Sequence, residues 1–96
     1  MRDVVFEWDS EKSSLNEKKH GVIFEEASSV FYDVNALVIA DTEHSIDEDR
    51  FLILGMSTRL RMVVVCHCYR ENDEVIRIIS ARKADAREVS QYERLV

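Results

Sequence analysis

The sequence predicts an α+β fold in which two N-terminal helices and one C-terminal helix pack on a small, mainly antiparallel sheet. In the first third, apolar residues recur at helical intervals, whereas residues 50–80 form β-branched runs separated by short polar joints. A basic, alanine-containing amphipathic segment follows the last run, which is typical of a strand that leads into a helix. We expect one domain over residues 1–96, because a chain of this length supplies one modest core.

The N-terminal elements follow from local signals. Residues 4–8 are typical of a first strand, and Asp9 or Ser10 is a candidate N-cap for a helix that Gly21 closes in the left-handed conformation. A second helix is predicted from residue 24 to near Asp33, because apolar residues repeat there every three or four positions and two glutamates occupy its first turn.

The rest of the chain is predicted to be mainly β. A short strand over residues 36–40 precedes an acidic loop or strand extension over residues 41–49. Three β-rich runs follow at residues 50–56, 61–69 and 75–80, in the pattern of an antiparallel meander, and the last is expected to end at Ser80 and Ala81. The predicted order is β-α-α-β-β-β-α.

Strand alternation predicts which side chains share a face, since successive residues point to opposite sides of a sheet. One face is predicted to be the core beneath the N-terminal helices: Phe51, Ile53, Met62, Val64, Cys66, Ile76 and Ile78. The other is predicted to be an apolar platform with cations and one histidine: Arg50, Leu52, Leu54, Arg61, Val63, Val65, His67, Tyr69, Val75, Arg77 and Ile79. Its charged members need water, a phosphate or an acidic partner.

Composition excludes several classes of protein. With 46% apolar and 33% charged residues, the chain is too hydrophobic for disorder, and its apolar runs are too short to span a membrane. No signal peptide is visible at the start, so we expect a cytoplasmic protein without membrane contact. The net charge of -6 argues against indiscriminate nucleic-acid binding, although residues 50–70 hold four arginines and no acid.

The two cysteines are not expected to form a disulfide or a metal site. Cys66 and Cys68 are alternate residues of one predicted strand, so their side chains share a face and are poorly placed to pair. His67 points to the opposite face, and a structural zinc site lacks its second pair of ligands. Both thiols are therefore predicted to be small buried hydrophobes, and no metal is expected.

Three cations cluster where the last strand meets the C-terminal helix: Arg77, Arg82 and Lys83. Guanidinium and ammonium groups suit phosphate oxygens, and a strand-to-helix corner is rigid enough to aim them. The alternative is that they are solvated charges that close a helix. Arg77 is the strongest candidate, because an arginine in an apolar strand is costly unless a partner satisfies it.

Several motifs resemble those of the BrnT toxins. In the N-terminal part they are Phe6-Glu7-Trp8-Asp9, Lys12, Asn16, Lys19-His20-Gly21-Val22 and Phe24-Glu25-Glu26-Ala27. Further along they are Asp41, His44-Ser45, Glu48, Arg50, Gly55, Val63-Val64-Val65, His67 and residues 77–84. The resemblance covers nearly the whole chain.

The resemblance implies a RelE-like fold and a ribonuclease toxin of a type II toxin–antitoxin system, with no cofactor. It also implies a cognate antitoxin like BrnA, whose ribbon-helix-helix part binds DNA and represses the shared operon. This chain would then reach DNA only through its antitoxin. Met56 and Leu60 stand where a basic residue and a glycine are common in the family, which predicts a weaker grip on RNA. Ile23 replaces a Ser or Thr N-cap that typically contributes about 1 kcal/mol.

Cleavage of RNA without a metal needs a base for the ribose 2′-hydroxyl, cations for the phosphorane and an acid for the leaving 5′-oxygen. The catalytic candidates are His67 as base or acid, Glu48 as an alternative base, and Arg50, Arg77 and Arg82 as the phosphate clamp. The expected RNA-binding residues are Lys83, Arg61 and Tyr92.

Each aromatic candidate also has a structural interpretation. His67 beside Tyr69 is consistent with cross-strand packing, and Tyr92 with packing of the last helix on the sheet. His20 suits the negative end of a helix dipole, and His44, among five acids, suits an exposed surface.

The same surface also suits a second function. The chain is then a catalytically weak or inactive toxin-like module that binds its antitoxin and tunes repression of the operon. The net charge of -6, Met56 and Leu60 favour this alternative.

Overall fold

The computed structural model describes residues 4–95. Its helices are α1 (Ser10–His20), α2 (Phe24–Ser29) and α3 (Ala86–Glu93). Its strands are β1 (Val5–Glu7), β2 (Leu37–Ala40), β3 (Phe51–Met56), β4 (Met62–Arg70) and β5 (Val75–Lys83), and short 3₁₀ turns occupy Val30–Tyr32 and Thr42–His44. Within these residues, no helix has the length and apolar character that a membrane span requires.

The strands form one mixed sheet in the order β1-β5-β4-β3-β2. β1 runs parallel to β5, and the other neighbouring pairs are antiparallel, so the sheet is mainly antiparallel as predicted. Four strands follow α2. All four were predicted as segments, but the predicted order β-α-α-β-β-β-α counts only three, and the short strand predicted at residues 36–40 is an edge strand paired with β3. The predicted end of the last strand is also wrong: β5 continues to Lys83, which still pairs with Val63 of β4.

α1 begins and ends where the sequence predicts. The Asp9 carboxylate accepts hydrogen bonds from Glu11 N at 2.8 Å and Lys12 N at 3.2 Å, and Gly21 ends the helix with φ of 74°. α2 has no side-chain N-cap at Ile23.

Asn16 joins α1 to the sheet. Its Nδ2 donates to Val22 O and to Ala81 O, both at 2.8 Å, and its Oδ1 accepts from Ala81 N at 3.1 Å. Asn16 is buried, so these bonds satisfy an amide that would otherwise destabilise the core. The same bonds occupy both backbone polar groups of Ala81 on β5.

The two N-terminal helices and the turn after them cover one side of the sheet, which we call the core face. Its buried residues are Val22, Phe24, Ala27 and Val30 from the helical segment and Ile53, Val63, Val65, Ile78 and Ala81 from the strands. The predicted faces are right for Ile53 and Ile78 but wrong for β4. In the observed register Ile53 lies opposite Val65, and this places the even-numbered residues of β4 on the opposite side, which we call the second face.

One residue of β5 has no partner on β4. The register shifts between Cys66 and His67, which leaves Ile79 as the extra residue of a β-bulge. Because of the bulge, Ile78 and Ala81 both face the core although they are three positions apart.

α3 covers one end of the second face. Its N-cap Asp85 accepts a hydrogen bond from Glu88 N at 2.8 Å, and the Glu88 carboxylate accepts one from Asp85 N at 2.9 Å, which completes a capping box. The helix buries Tyr92 against Leu54 and Val64. This second apolar cluster holds α3 on the sheet.

The turn between β3 and β4 contains a strained residue. Leu60 has φ of 61° and a side chain that is 82% exposed. The left-handed conformation costs a residue with a Cβ roughly 1–2 kcal/mol, whereas the greater freedom of glycine in the unfolded chain costs roughly 0.4–1 kcal/mol. We therefore expect Leu60→Gly to raise the free energy of unfolding by about 0.5–1 kcal/mol in chemical denaturation.

Leu60→Ala is the matched control for this substitution. It removes the same exposed side chain but keeps the strained φ, so its stability should stay near that of the wild type. If both variants raised the free energy of unfolding equally, backbone strain at Leu60 would not be the cause, and removal of the exposed leucine side chain would be.

Candidate active site on the second face

Three arginines meet at the end of the second face away from α3. Arg50 directly precedes β3, Arg70 ends β4 and Arg77 belongs to β5. Arg77 pairs with Cys68, and Arg70 is two residues beyond Cys68, so their side chains share its face. The sequence therefore grouped Arg50 and Arg77 correctly on one face.

Two carboxylates alternate with these guanidinium groups. Glu7 Oε1 lies 3.3 Å from Arg77 Nη1 and 3.4 Å from Arg70 Nε. Glu48 Oε2 lies 3.4 Å from Arg70 Nη2, and Glu48 Oε1 lies 4.0 Å from Arg50 Nε. We call these five residues the ion-pair chain. All five side chains are between 30% and 46% exposed, so a solute can reach them. Exposed pairs of this kind contribute at most about 1 kcal/mol each, and a competing anion can displace them.

One donor of the ion-pair chain has no hydrogen-bond partner. The Nε atom of Arg50 is buried and unpaired among the described residues. Its 4.0 Å separation from Glu48 is too long for a hydrogen bond. Because a buried charged donor without an acceptor is costly, an anionic oxygen at this position would be stabilised.

His44 adjoins the ion-pair chain on the loop of residues 41–49. Its Nδ1 lies 2.9 Å from Asp41 Oδ2, and it lines one surface cavity together with Glu48 and Arg50. Ser45 closes the loop, since its Oγ donates to Asp41 O at 2.6 Å and accepts from Arg50 N at 2.9 Å. With Asp41 at Nδ1, the Nε2 atom of the exposed ring is the one placed to exchange a proton with a bound molecule.

Two thiols lie beneath this loop. Cys66 Sγ is 4.0 Å from Asp41 Oδ2, and Cys68 is next to Glu48. Burial raises the pKa of both thiols, and the neighbouring carboxylates raise it further, so both are neutral at pH 7. Both are free and buried, as predicted. In the part of the chain that the structure describes, no three His, Cys, Asp or Glu side chains are grouped so as to hold a metal ion.

His67 lies on the core face, and its predicted position among the cations is wrong. The ring is 0% exposed and meets the ring of Phe31 edge-on, with centroids 4.7 Å apart. Its Nδ1 is 3.2 Å from Val65 O and its Nε2 is 3.3 Å from Tyr69 Oη. Burial lowers the pKa of His67, so the ring is neutral at pH 7. The cause of the error is the register of β4, which turns its odd-numbered residues toward the helices.

Arg61 also faces the helices and not the ion-pair chain. Its Nε donates to Glu26 Oε2 at 2.9 Å, and its Nη2 donates to Gly21 O at 2.9 Å and to Glu26 Oε1. Ser57 Oγ donates to Glu26 Oε2 at 2.7 Å. The hydrogen bond from Arg61 lowers the pKa of the buried Glu26 carboxyl against the opposing effect of burial. Arg61 therefore joins β4 to α2.

Arg82 and Lys83 lie apart from the three clustered arginines. Arg82 Nη1 and Nη2 donate to the two carboxylate oxygens of Glu88 at 2.7 Å and 2.8 Å, and this pairing lowers the pKa of Glu88. Lys83 is exposed beside Gly21, at the end of α1. The predicted cluster of Arg77 with these two residues is not formed, because the bidentate pair holds Arg82 at α3 and Lys83 is on the other face.

Tyr92 has the structural role that the sequence left open. Its ring is buried under α3, and its hydroxyl donates to Asp33 Oδ2 at 2.6 Å. Asp33 also accepts from Met56 N at 2.8 Å and Asn35 N at 2.9 Å. Burial raises the pKa of Asp33, but these hydrogen bonds outweigh it and lower the pKa overall.

The family of the chain follows from a sequence comparison. Residues 8–88 match the model of a family described as "Ribonuclease toxin, BrnT, of type II toxin-antitoxin system". The chain belongs to the BrnT family. Its members are ribonuclease toxins of type II toxin–antitoxin systems, so a protein antitoxin is the implied partner.

The fold agrees with this assignment. The 1.1 Å crystal structure of the Brucella abortus ribonuclease toxin BrnT is similar, with a TM-score of 0.64 and 24% sequence identity. The similarity covers 86% of this chain and 99% of the Brucella chain, and at that identity it concerns the fold alone. No curated protein matches the sequence.

Sequence reasoning missed four residues beside the arginines: Glu7, Asp41, His44 and Arg70. For three of them, the sequence contained a signal that indicated a position near the arginines. Asp41 and His44 precede Arg50 in one BrnT-like motif, and Arg70 alternates with Cys68 on the same strand. Glu7 also belongs to a BrnT-like motif, but its approach to Arg77 depends on the parallel pairing of β1 with β5, which no local signal predicts.

The pair of Arg61 and Glu26 predicts a pH-dependent contribution to stability. Arg61→Met should lower the free energy of unfolding at neutral pH, and by more than Arg59→Met does, because it leaves a buried carboxylate without its hydrogen-bonded cation. The pKa of Glu26 is lowered on folding, so its contribution is complete above its ordinary value of 4.5 and is lost as the pH falls through the lower, folded value. Denaturation curves in acid should therefore show a smaller difference between wild type and Arg61→Met.

Arg59→Met is the matched control, since Arg59 is an exposed arginine of the same turn. Arg59 lowers the pKa of Glu26 only through its charge, which is the weakest of the causes, so Arg59→Met should change stability by less than Arg61→Met does. A loss from Arg61→Met that stayed constant across the acid range would show that Glu26 ionisation is not involved.

Proposed function

We propose that this chain is an endoribonuclease toxin that cleaves RNA without a metal ion, and that a cognate antitoxin neutralises it. The observation that carries the proposal is the ion-pair chain with His44 beside it: three guanidinium groups, two carboxylates and one exposed imidazole surround an open surface. These are the groups that phosphodiester cleavage by the ribose 2′-hydroxyl requires.

Each group has a role in the proposed reaction. Glu48 accepts the proton of the 2′-hydroxyl, whose oxygen then attacks the adjacent phosphorus. The P–O5′ bond breaks and leaves a 2′,3′-cyclic phosphate, while protonated His44 gives its Nε2 proton to the departing 5′-oxygen. Asp41 holds the imidazole by its Nδ1, which leaves Nε2 to face the substrate. The reaction is balanced, since one proton enters at Glu48 and one leaves from His44.

The arginines stabilise the charge on the phosphorane. Arg50, Arg70 and Arg77 face two carboxylates, so the ion-pair chain carries a local charge of about +1 before substrate binds. A phosphodiester carries one negative charge, and its oxygens can replace carboxylate oxygens as acceptors for the guanidinium groups. The unpaired Nε of Arg50 then gains an acceptor. Binding of the scissile phosphate therefore costs little desolvation at this donor.

The proposal retains Glu48, Arg50 and Arg77 from the sequence-based candidates and adds Arg70 and His44. It gives no RNA contact to the buried His67 ring. The other candidates, Arg61, Arg82, Lys83 and Tyr92, are proposed to act through the fold, as the partners already described indicate.

The biological setting is part of the same proposal. Cleavage of RNA would inhibit translation and growth in the cytoplasm, and the antitoxin would be similar to BrnA. Its ribbon-helix-helix part would bind the operator, so that this chain contacts DNA only through the antitoxin. Assignment of the fold to the RelE-like group belongs to this proposal as well.

Two observations favour a second function. All three arginines already have carboxylate partners, and the chain has a net charge of -6, which opposes RNA binding. On this alternative the chain binds an antitoxin and tunes repression without cutting RNA. Arg77→Ala would then weaken antitoxin binding, and the wild type would leave RNA intact.

The test is cleavage of a fluorescently labelled RNA by the purified, antitoxin-free chain in the presence of a chelator. We expect His44→Ala and Glu48→Gln each to lower the cleavage rate by roughly 10²–10⁴-fold, because each removes a proton-transfer group. Arg77→Ala should lower it by about 10²-fold or more through the loss of charge stabilisation. Induced expression in a bacterium should give growth arrest in proportion to these rates.

His20→Ala and Arg87→Ala are matched controls, since both residues lie outside the ion-pair chain. They should cleave RNA like the wild type. A folded wild type that leaves RNA intact would favour the interaction module, and equal loss in the control variants would contradict the proposed site.

A further inference from the structure

β2 is an unprotected edge of the sheet. In the described part of the chain it pairs only with β3, so its other side has no partner strand. The segment from Ala36 to Ala40 consists of five apolar residues and contains no charge, proline or glycine. Native edge strands commonly carry such residues to prevent pairing with other chains. An edge without them is suited to accept another strand.

Both surfaces of this edge are exposed. Val38 is 51% exposed on the core face, and Ile39 is 62% exposed on the second face. A helix lying on one face would cover only one of these side chains. A strand added alongside β2 would contact both, so the exposure pattern favours an extended segment over a helix.

The backbone of β2 offers free donors at two positions. Asp41 N donates to Arg50 O at 2.8 Å, so residues 41 and 50 are a hydrogen-bonded pair of the β2 and β3 ladder. Hydrogen-bonded positions alternate along an antiparallel strand. The amides of Leu37 and Ile39 therefore point toward β3, and those of Val38 and Ala40 point outward.

Charge determines what kind of strand fits. Residues 21–49 contain eight acidic residues and no Lys or Arg: Glu25, Glu26, Asp33, Asp41, Glu43, Asp47, Glu48 and Asp49. β2 lies inside this segment, between Asp33 and Asp41. A second copy paired antiparallel would bring the acidic residues after β2 beside Asp33 of the first copy, and like charges opposite each other destabilise such a pair. A basic segment would meet favourable charges at both ends of the edge.

We propose that β2 is the docking edge for the antitoxin, which adds an extended segment with alternating apolar residues flanked by Lys or Arg. Identification of the occupant as the antitoxin rests on the proposed function. Alternate side chains of the added strand would enter the apolar groove between β2 and α3, which is lined by Ile39, Leu52 and Val64. Backbone hydrogen bonds supply affinity in this mode, and the groove and the flanking charges supply specificity.

The test uses synthetic peptides with an alternating valine and threonine core. One has lysines at both ends and the other has glutamates. Hydrogen exchange is followed by NMR on the full chain. We expect the lysine peptide to slow exchange at Val38 and Ala40 by about tenfold or more, with smaller changes at the already bonded Leu37 and Ile39. Binding of the glutamate peptide should be at least about tenfold weaker.

Val38→Pro removes one outward donor and leaves the ladder with β3 intact, which an edge strand tolerates. It should abolish protection by the lysine peptide, whereas Val38→Thr keeps the amide and the β-branched shape and should bind like the wild type. Thermal unfolding of each variant shows whether it is folded. If Val38→Pro does not fold, Val38→Lys replaces it as the test variant. Because Val38 is outside the active site, all three variants should cleave RNA at the wild-type rate.

Three outcomes would overturn the proposal. One is the absence of protection at Val38 and Ala40 with the lysine peptide. Another is equal binding of the two peptides, which would remove the argument from charge. The third is protection that grows with protein concentration when no peptide is present, which would make a second copy the occupant. Failure of the proposed ribonuclease would appear separately, in the RNA cleavage assay, since the peptide assay does not depend on catalysis.

Discussion

The bulge at Ile79 is the local constraint on which both ends of the second face depend. Beyond it, the alternation of β5 is reversed, so that Arg77 and Arg82 share a face although they are five positions apart. At one end Arg77 reaches Glu7, and at the other Arg82 reaches Glu88 and joins β5 to α3. With unbroken alternation, Arg82 would point beneath the N-terminal helices. The core would then contain an unpaired guanidinium, and α3 would lose its bidentate partner.

The elements themselves could be predicted, because their signals are local. Asp9 and Gly21 mark the two ends of α1 by the chemistry of single residues, and the β-branched runs mark β3, β4 and β5. The face that each side chain of β4 takes relative to β3 could not be predicted. Strands β3 and β4 are apolar on both sides, since the helices cover one face and α3 covers part of the other. A shift of one residue in the pairing would therefore leave about as many apolar side chains on each face, so hydrophobicity does not select the register. The turn with Leu60 determines it.

The difference between local signals and strand pairing also explains which residues of the candidate site were predicted. Arg50 and Arg77 were placed correctly, since an arginine in an apolar strand indicates a partner whatever the register is. His67 was misplaced because its face depends on the pairing of β4. Glu7 lies far from Arg77 in sequence, and only the parallel pairing of β1 and β5 brings the two together. Contacts built across strands are therefore less accessible to sequence reasoning than single loop residues such as Glu48.

On the two proposals, docking and catalysis are physically connected although they use different parts of the sheet. β2 is one outer strand, and the ion-pair chain extends from β1, the other outer strand, across to the loop before β3. That loop, residues 41–49, starts at the end of β2 and carries both His44 and Glu48. A segment bound along β2 with a cation beside Asp41 competes with the imidazole for this carboxylate. It therefore acts on the group that holds the general acid, and inhibition does not require the antitoxin to fill the phosphate site.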